Sequence, residues 1–231
     1  MASPTLPRDL EVMRAVGRFR MLTRPQLKRW FFADVSETVV TRFVDRTTGK
    51  GWLGVQRLHG NGMQVLWLTR KGRDVLVGQG VAAADLFPAT GPAAAKDFEH
   101  TVMIGEAAVW LATKTIPPEE LLPASALLRF FGGRMAVVPD LLALWRPEGS
   151  APAALAVEVD LGTEPIQTVL LPKLALLADA LHDWLPGCVT TILVLVPRGR
   201  RRAAVRDALP ELPIPVLVEV LEELPGVNSG V

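Results

Sequence analysis

Two apolar runs decide how this chain is read: Val137-Val-Pro-Asp140-Leu-Leu-Ala-Leu-Trp145 and Leu155-Ala-Val-Glu158-Val-Asp160-Leu-Gly-Thr163, with Lys173 following. Each has the length and composition of a strand, yet each carries acid where a buried strand should be purely apolar. Burying an unpaired carboxylate costs several kcal/mol. These acids therefore belong at strand ends, where they meet a metal, a base or one another. Asp140, Glu158 and Asp160 on adjacent strands, with a lysine close by, are the ingredients of a metal-dependent phosphodiesterase site.

The elements around the two runs follow from periodicity and punctuation. A helix is expected at Asp97–Lys114, then a loop holding Pro117-Pro118, a strand near Ala126–Phe131, a Gly132-Gly133 turn and strands at Met135–Trp145 and Ala153–Leu161. The next helix spans about Thr163–Trp184 and should bend at Pro172. Val189–Val196 is apolar on both faces, as in a central buried strand. The basic run Arg198-Gly-Arg-Arg-Arg202, a short helix near 202–209 and a strand at Ile214–Val220 complete an order that predicts a sheet with helices on both faces.

Upstream, the signals change to a different module. Leu10, Val12, Met13, Val16 and Phe19 recur at helical spacing. Thr23 before Arg24-Pro25 reads as an N-cap with proline in the first turn. A third helix starts at Ser36-Glu37 and ends near Gly49. Trp52–Leu58 and Met63–Leu68 flank His59-Gly60-Asn61-Gly62 as a β-hairpin, and Thr69 caps a last short helix. Three helices, a hairpin and a closing helix make the winged helix-turn-helix layout. Its recognition helix would lie near 36–47, with 59–62 as the wing tip. The fold class expected is α/β (α+β): a winged helix at 1–78, an Ala/Gly/Pro-rich linker at 79–95, and a mixed sheet flanked by helices at 96–231.

Composition narrows the functional classes. A hydrophobic share of 49% suggests a membrane protein, but no window of about 20 residues is free of charge, so no transmembrane helix is expected. The first nine residues carry no apolar signal core. The single cysteine, Cys188, excludes an intrachain disulfide framework and a Cys-rich zinc site. A cytoplasmic protein follows. The net charge of +1 conceals a split: residues 1–80 hold 14 Lys/Arg against 6 Asp/Glu, and residues 81–231 hold 11 against 18. A module of net +8 beside one of net −7 points the first toward a polyanion.

Pro139-Asp140 before one strand and Glu158-Val-Asp160 on the next, in this element order, resemble the PD-(D/E)XK nuclease-like fold. The chain is similar more closely to bacterial replication-relaxation proteins of plasmids and other mobile elements, which join a winged helix to such a domain. His100, Pro139-Asp140, Glu158-Val-Asp160-x-Gly-Thr163, Lys173-Leu174, Leu22-Thr23…Leu27 and Leu66-x-Leu68-Thr69-x-x-Gly72 carry the resemblance, over about residues 8–200. It implies a role in plasmid or mobile-element replication or transfer. In a carboxylate site of this kind, Asp140, Glu158 and Asp160 would hold Mg²⁺ or Mn²⁺, and Lys173 would neutralise charge developing on a phosphate.

The nuclease pattern puts its lysine two residues after the glutamate, where this chain has Asp160. Either Lys173 supplies the amine from the following helix, giving a metal-dependent endonuclease, or the domain binds without cutting. The expected partner is double-stranded DNA. Thr38, Arg42 and Arg46 would face the major groove, and Arg57, His59 and Asn61 the adjacent backbone. A protein-docking module without DNA binding is the third class, and a homodimer is one assembly compatible with each. Of the remaining residues, Glu106 reads as a surface carboxylate or else as a further acid for the site, Cys188 as a small buried residue, and Trp30, Phe31, Trp52 and Trp67 as core. No GxxxxGK[ST], GxGxxG or HExxH motif is present.

Overall fold

Thr23, Ser36 and Thr69 each precede a helix in the computed structural model, which describes residues 7–57, 62–87, 91, 95–130 and 137–221. Packing divides the chain into two compact units, Met1–Val109 and Trp110–Val231.

The first unit opens with α1 (Pro7–Arg18), β1 (Met21–Thr23), α2 (Arg24–Phe31) and α3 (Glu37–Gly49). It continues through β2 (Leu53–Arg57), β3 (Gln64–Leu68) and α4 (Arg70–Gly78), and α5 (Ala95–Ala112) begins within it. At the start of α2, Thr23 accepts from the Gln26 N–H while the Gln26 side chain accepts from the Thr23 N–H, a reciprocal cap. Thr69 caps α4 through the Gly72 N–H. The antiparallel sheet runs β1-β3-β2, and β1 is a strand the sequence reading did not anticipate. Val12, Met13, Val16, Leu27, Val40 and Phe43 bury one side of each of the first three helices around it. Trp52 is buried, while Trp30, Phe31 and Trp67 are half-buried. A Cβ on Gly54 would stand 2.3 Å from the Trp67 ring directly across the ladder, so only glycine fits there. Residues 79–87, expected as linker, fold back on this unit: Leu86 is fully buried, and the Phe87 N–H bonds to the Gly17 carbonyl.

The second unit holds β4 (Glu120–Pro123), α6 (Ala124–Phe130), β5 (Leu141–Trp145), β6 (Ala153–Val159), α7 (Leu171–Trp184), β7 (Val189–Val196), α8 (Gly199–Ala208) and β8 (Val216–Val220). Its sheet order is β4-β5-β6-β7-β8, antiparallel through β6 and parallel from there on. Two expectations are corrected. The strand near Ala126–Phe131 is the helix α6, and β4 lies in the segment taken for a loop. Ala-Leu-Leu-Arg-Phe fits either period, and alanine and leucine are strong helix formers, so the run goes helical once β4 takes the edge beside β5. The helix expected at Thr163–Trp184 starts at Ile166 as a π-helical turn, Ile166–Leu170, and continues directly as α7, with Pro172 the second residue of the α-helical part.

The period of two along β6 turns Ala154 and Ala156 toward a core shared with Leu174, Leu177 and Leu181 of α7 and with Ile192 and Val194 of β7. Glu158 is the next residue in that series, at the point where the face meets the first turn of α7. The mixed α+β architecture is as expected. Among the described residues no helix is long and apolar enough to cross a membrane.

Candidate functional site

Antiparallel pairing of β5 with β6 sets Leu141 opposite Val157, so one step outward along the ladder Asp140 stands opposite Glu158. Asp140 is fixed at both ends. Its carbonyl accepts from the Ala124 N–H at 3.0 Å, and its Oδ2 accepts from the Val159 N–H at 2.8 Å. The Glu158 side chain is 2% exposed, and its Oε2 lies 2.6 Å from Lys173 Nζ. Lys173 reaches it from the first turn of α7 with its own side chain 31% exposed.

Burial pushes the Lys173 ammonium toward the neutral form. Against that, the charges of Glu158 and Asp140, the hydrogen bond to Glu158 and the charge of Glu164 hold its pKa above the ordinary 10.5. At neutral pH the amine is thus a cation, neither a base nor a nucleophile. What it can do chemically is balance negative charge.

Asp160 has different partners. Its N–H bonds to the Leu195 carbonyl, continuing the β6–β7 pairing past the last strand residue. Its side chain is fully buried: Oδ2 accepts from Arg201 Nε at 2.6 Å, and Oδ1 accepts from the Gly162 N–H at 2.8 Å. The same Arg201 also donates to the Glu164 carbonyl. Because β6 and β7 are parallel, they end side by side, and α8 leaves β7 just where Asp160 leaves β6. Arg201 thus closes a clamp on the 160–164 loop. The basic run at 198–202 was the visible signal for this pair; only the register tells which arginine answers which acid.

The structure therefore brings together Asp140, Glu158 and Lys173, and sets Asp160 apart with Arg201. Among the described residues no group of three His, Cys, Asp or Glu side chains could hold a metal ion. Two carboxylates are donors of the right kind for Mg²⁺ or Mn²⁺. As arranged, however, Glu158 Oε2 is given to an ammonium, Asp140 Oδ2 to a backbone N–H, and Asp160 is committed elsewhere. Glu158 Oε1, by contrast, is buried and accepts no hydrogen bond.

The residues expected to face DNA also divide. Thr38 and Arg42 are exposed on α3, and Arg57 is exposed at the end of β2. Neither Arg42 nor Arg57 makes a side-chain ion pair or hydrogen bond among the described residues. Arg46 turns inward and grips the buried Asp9 of α1 with two bonds, at 2.6 and 3.0 Å. Each step of four residues overshoots a full helical turn by about 40°, so Arg46 is rotated about 80° from Thr38 toward the buried face. His59 and Asn61 lie outside the described residues. Arg24, which sequence reading passed over, bonds Glu37 and Thr41 of α3 and Gln64 of β3. Glu106, expected on the surface, is buried and paired with Arg29 of α2, and His100 is half-buried on α5. Cys188 is half-buried and reduced.

A family model described as Replication-relaxation matches residues 13–176. The match takes in α3, Asp140, Glu158, Asp160 and Lys173, and stops before β7 and Arg201. No curated protein and no solved structure matches the chain.

Proposed function

The chain belongs to the replication-relaxation family, and on that premise we propose that it is a cytoplasmic protein that binds double-stranded DNA through its first unit. It would act in the replication or transfer of a plasmid or other mobile element. Three helices followed by an antiparallel hairpin support a winged helix there, with α3 as its recognition helix and β2–β3 as its wing. One observation carries the reading. In this strongly basic module Arg24, Arg29 and Arg46 each have an acidic partner, whereas Arg42 and Arg57 are exposed with no acidic partner among the described residues. Unanswered surface arginines on a helix and its neighbouring strand are what phosphate oxygens require.

A mobility-shift assay in 50 mM salt tests it. Wild type should shift a duplex, and Arg42→Ala should weaken the shift and lower the salt slope of log K by about 0.9. Absence of any duplex binding sinks the proposal. Affinity that does not change with salt would favour a protein partner instead.

For the second unit, the meander β4-β5-β6 followed by α7 and the parallel β7 supports a PD-(D/E)XK-like framework. We read it as non-cleaving, because Asp160 stands where the pattern puts its lysine and Lys173, the substitute from α7, is bound to Glu158. The competing reading is endonuclease activity with Mg²⁺ or Mn²⁺, favoured by Asp140 standing opposite Glu158. Nicking of supercoiled plasmid that is abolished by Asp140→Ala would establish it.

A further inference from the structure

Continuing the ladder one step past Leu141 and Val157 sets Asp140 opposite Glu158 on neighbouring antiparallel strands, a pairing that like charges oppose unless a cation is at hand. A cation is at hand: Lys173 Nζ is 2.6 Å from Glu158 Oε2. An ammonium has three donors and no acceptor, so it is satisfied by carboxylate oxygen much as a small metal ion would be.

Lys173 lies just after the π-helical turn, on the helical segment that runs from Ile166 into α7. The third acid offers a metal no help, because Asp160 is held by Arg201 and the Gly162 N–H. An arriving divalent ion would meet a like charge at contact distance from Glu158 Oε2, and would have to displace that ammonium to take both Glu158 oxygens, of which Oε1 is buried and accepts no hydrogen bond.

We infer that Lys173 is the resident cation of this site and closes it to divalent metal ions. The second unit then keeps a nuclease-like frame whose charge is balanced by the protein itself. This rests on reading that unit as nuclease-like and is independent of DNA binding by the first unit, so a failed mobility shift leaves it standing.

Calorimetric titration of the full-length protein with Mn²⁺ tests the inference. Wild type should show no saturable site below roughly millimolar metal, the range of weak carboxylate sites. Lys173→Met should gain one, at least tenfold tighter than any wild-type binding, and D140N added to it should remove the gain. Lys173→Arg, which keeps the charge, should stay closed. Micromolar Mn²⁺ binding by wild type that Asp140→Asn abolishes would overturn the inference. So would a folded Lys173→Met protein, judged by circular dichroism, that binds Mn²⁺ no better than wild type. Should that variant not fold, the comparison of wild type with Asp140→Asn decides the matter alone.

Discussion

Replacing Arg201 with methionine removes one half of the most deeply buried ion pair among the described residues of the second unit. The Asp160 side chain has no exposure, that of Arg201 is 18% exposed, and the two meet at 2.6 Å. At an effective dielectric of about 20, charges this close attract by about 6 kcal/mol, most of which is offset by the cost of taking both from water. Removing one partner returns none of that cost for the other, and the loss on breaking buried pairs runs at about 3–5 kcal/mol. Asp160 keeps its bond from Gly162, but the Glu164 carbonyl loses its donor, so the loss should be about 3 kcal/mol. Urea unfolding followed by circular dichroism should show the midpoint of the second unit's transition falling by roughly 1–2 M with its slope unchanged. Asp160→Asn combined with Arg201→Met should recover part of the loss, since an amide leaves no buried charge. A loss below about 1 kcal/mol, the level of an exposed pair, would refute the clamp.

Stability should also depend on Lys173 at alkaline pH. Its folded pKa lies above 10.5, so the contribution of the Lys173–Glu158 pair is complete below the unfolded value and is lost as pH rises through the folded one. Between about pH 9 and pH 12, denaturation curves of wild type should therefore lose stability that Lys173→Gln never had; parallel curves would contradict the pairing. Arg46→Ala should lower the stability of the first unit by about 2–3 kcal/mol by stranding Asp9, which would show in thermal melts whether or not DNA is present. Gly54→Ala should cost at least about 1–3 kcal/mol and alter the near-ultraviolet signal of Trp67, because the new methyl would overlap its ring. Thr69→Ala should cost about 1 kcal/mol through loss of the α4 cap, read as a shift in the melting midpoint.

Much of the fold was legible because its boundaries are written in residues with one mechanical job. Thr23 with Gln26 and Thr69 with Gly72 announce helix starts by chemistry that needs no tertiary context. Val189–Val196 could be read as a central strand because its apolarity shows on both faces. The region 117–131 misled because its helix and strand signals were of similar strength and the decision lay with a partner strand. The site was half legible. Acid within an apolar strand marked Asp140 and Glu158, and helix spacing made Lys173 available. That Asp160 would be claimed by Arg201, 41 residues away, depends on the parallel register of β6 and β7, which no local pattern encodes. Arg46 was misplaced for a related reason: its fate turns on the buried Asp9, 37 residues upstream.

The π-helical turn at Ile166–Leu170 has a bearing on how this chain can change length. Such a turn stores one residue more than an α-helical turn of the same rise. It lies between two anchored points, the loop held by Arg201 and the Lys173 ammonium on Glu158. Loss or gain of a residue between those points can be taken up by winding or unwinding that single turn, with neither anchor displaced. Relatives whose 161–170 segments differ by one residue should accordingly keep both ion pairs in place.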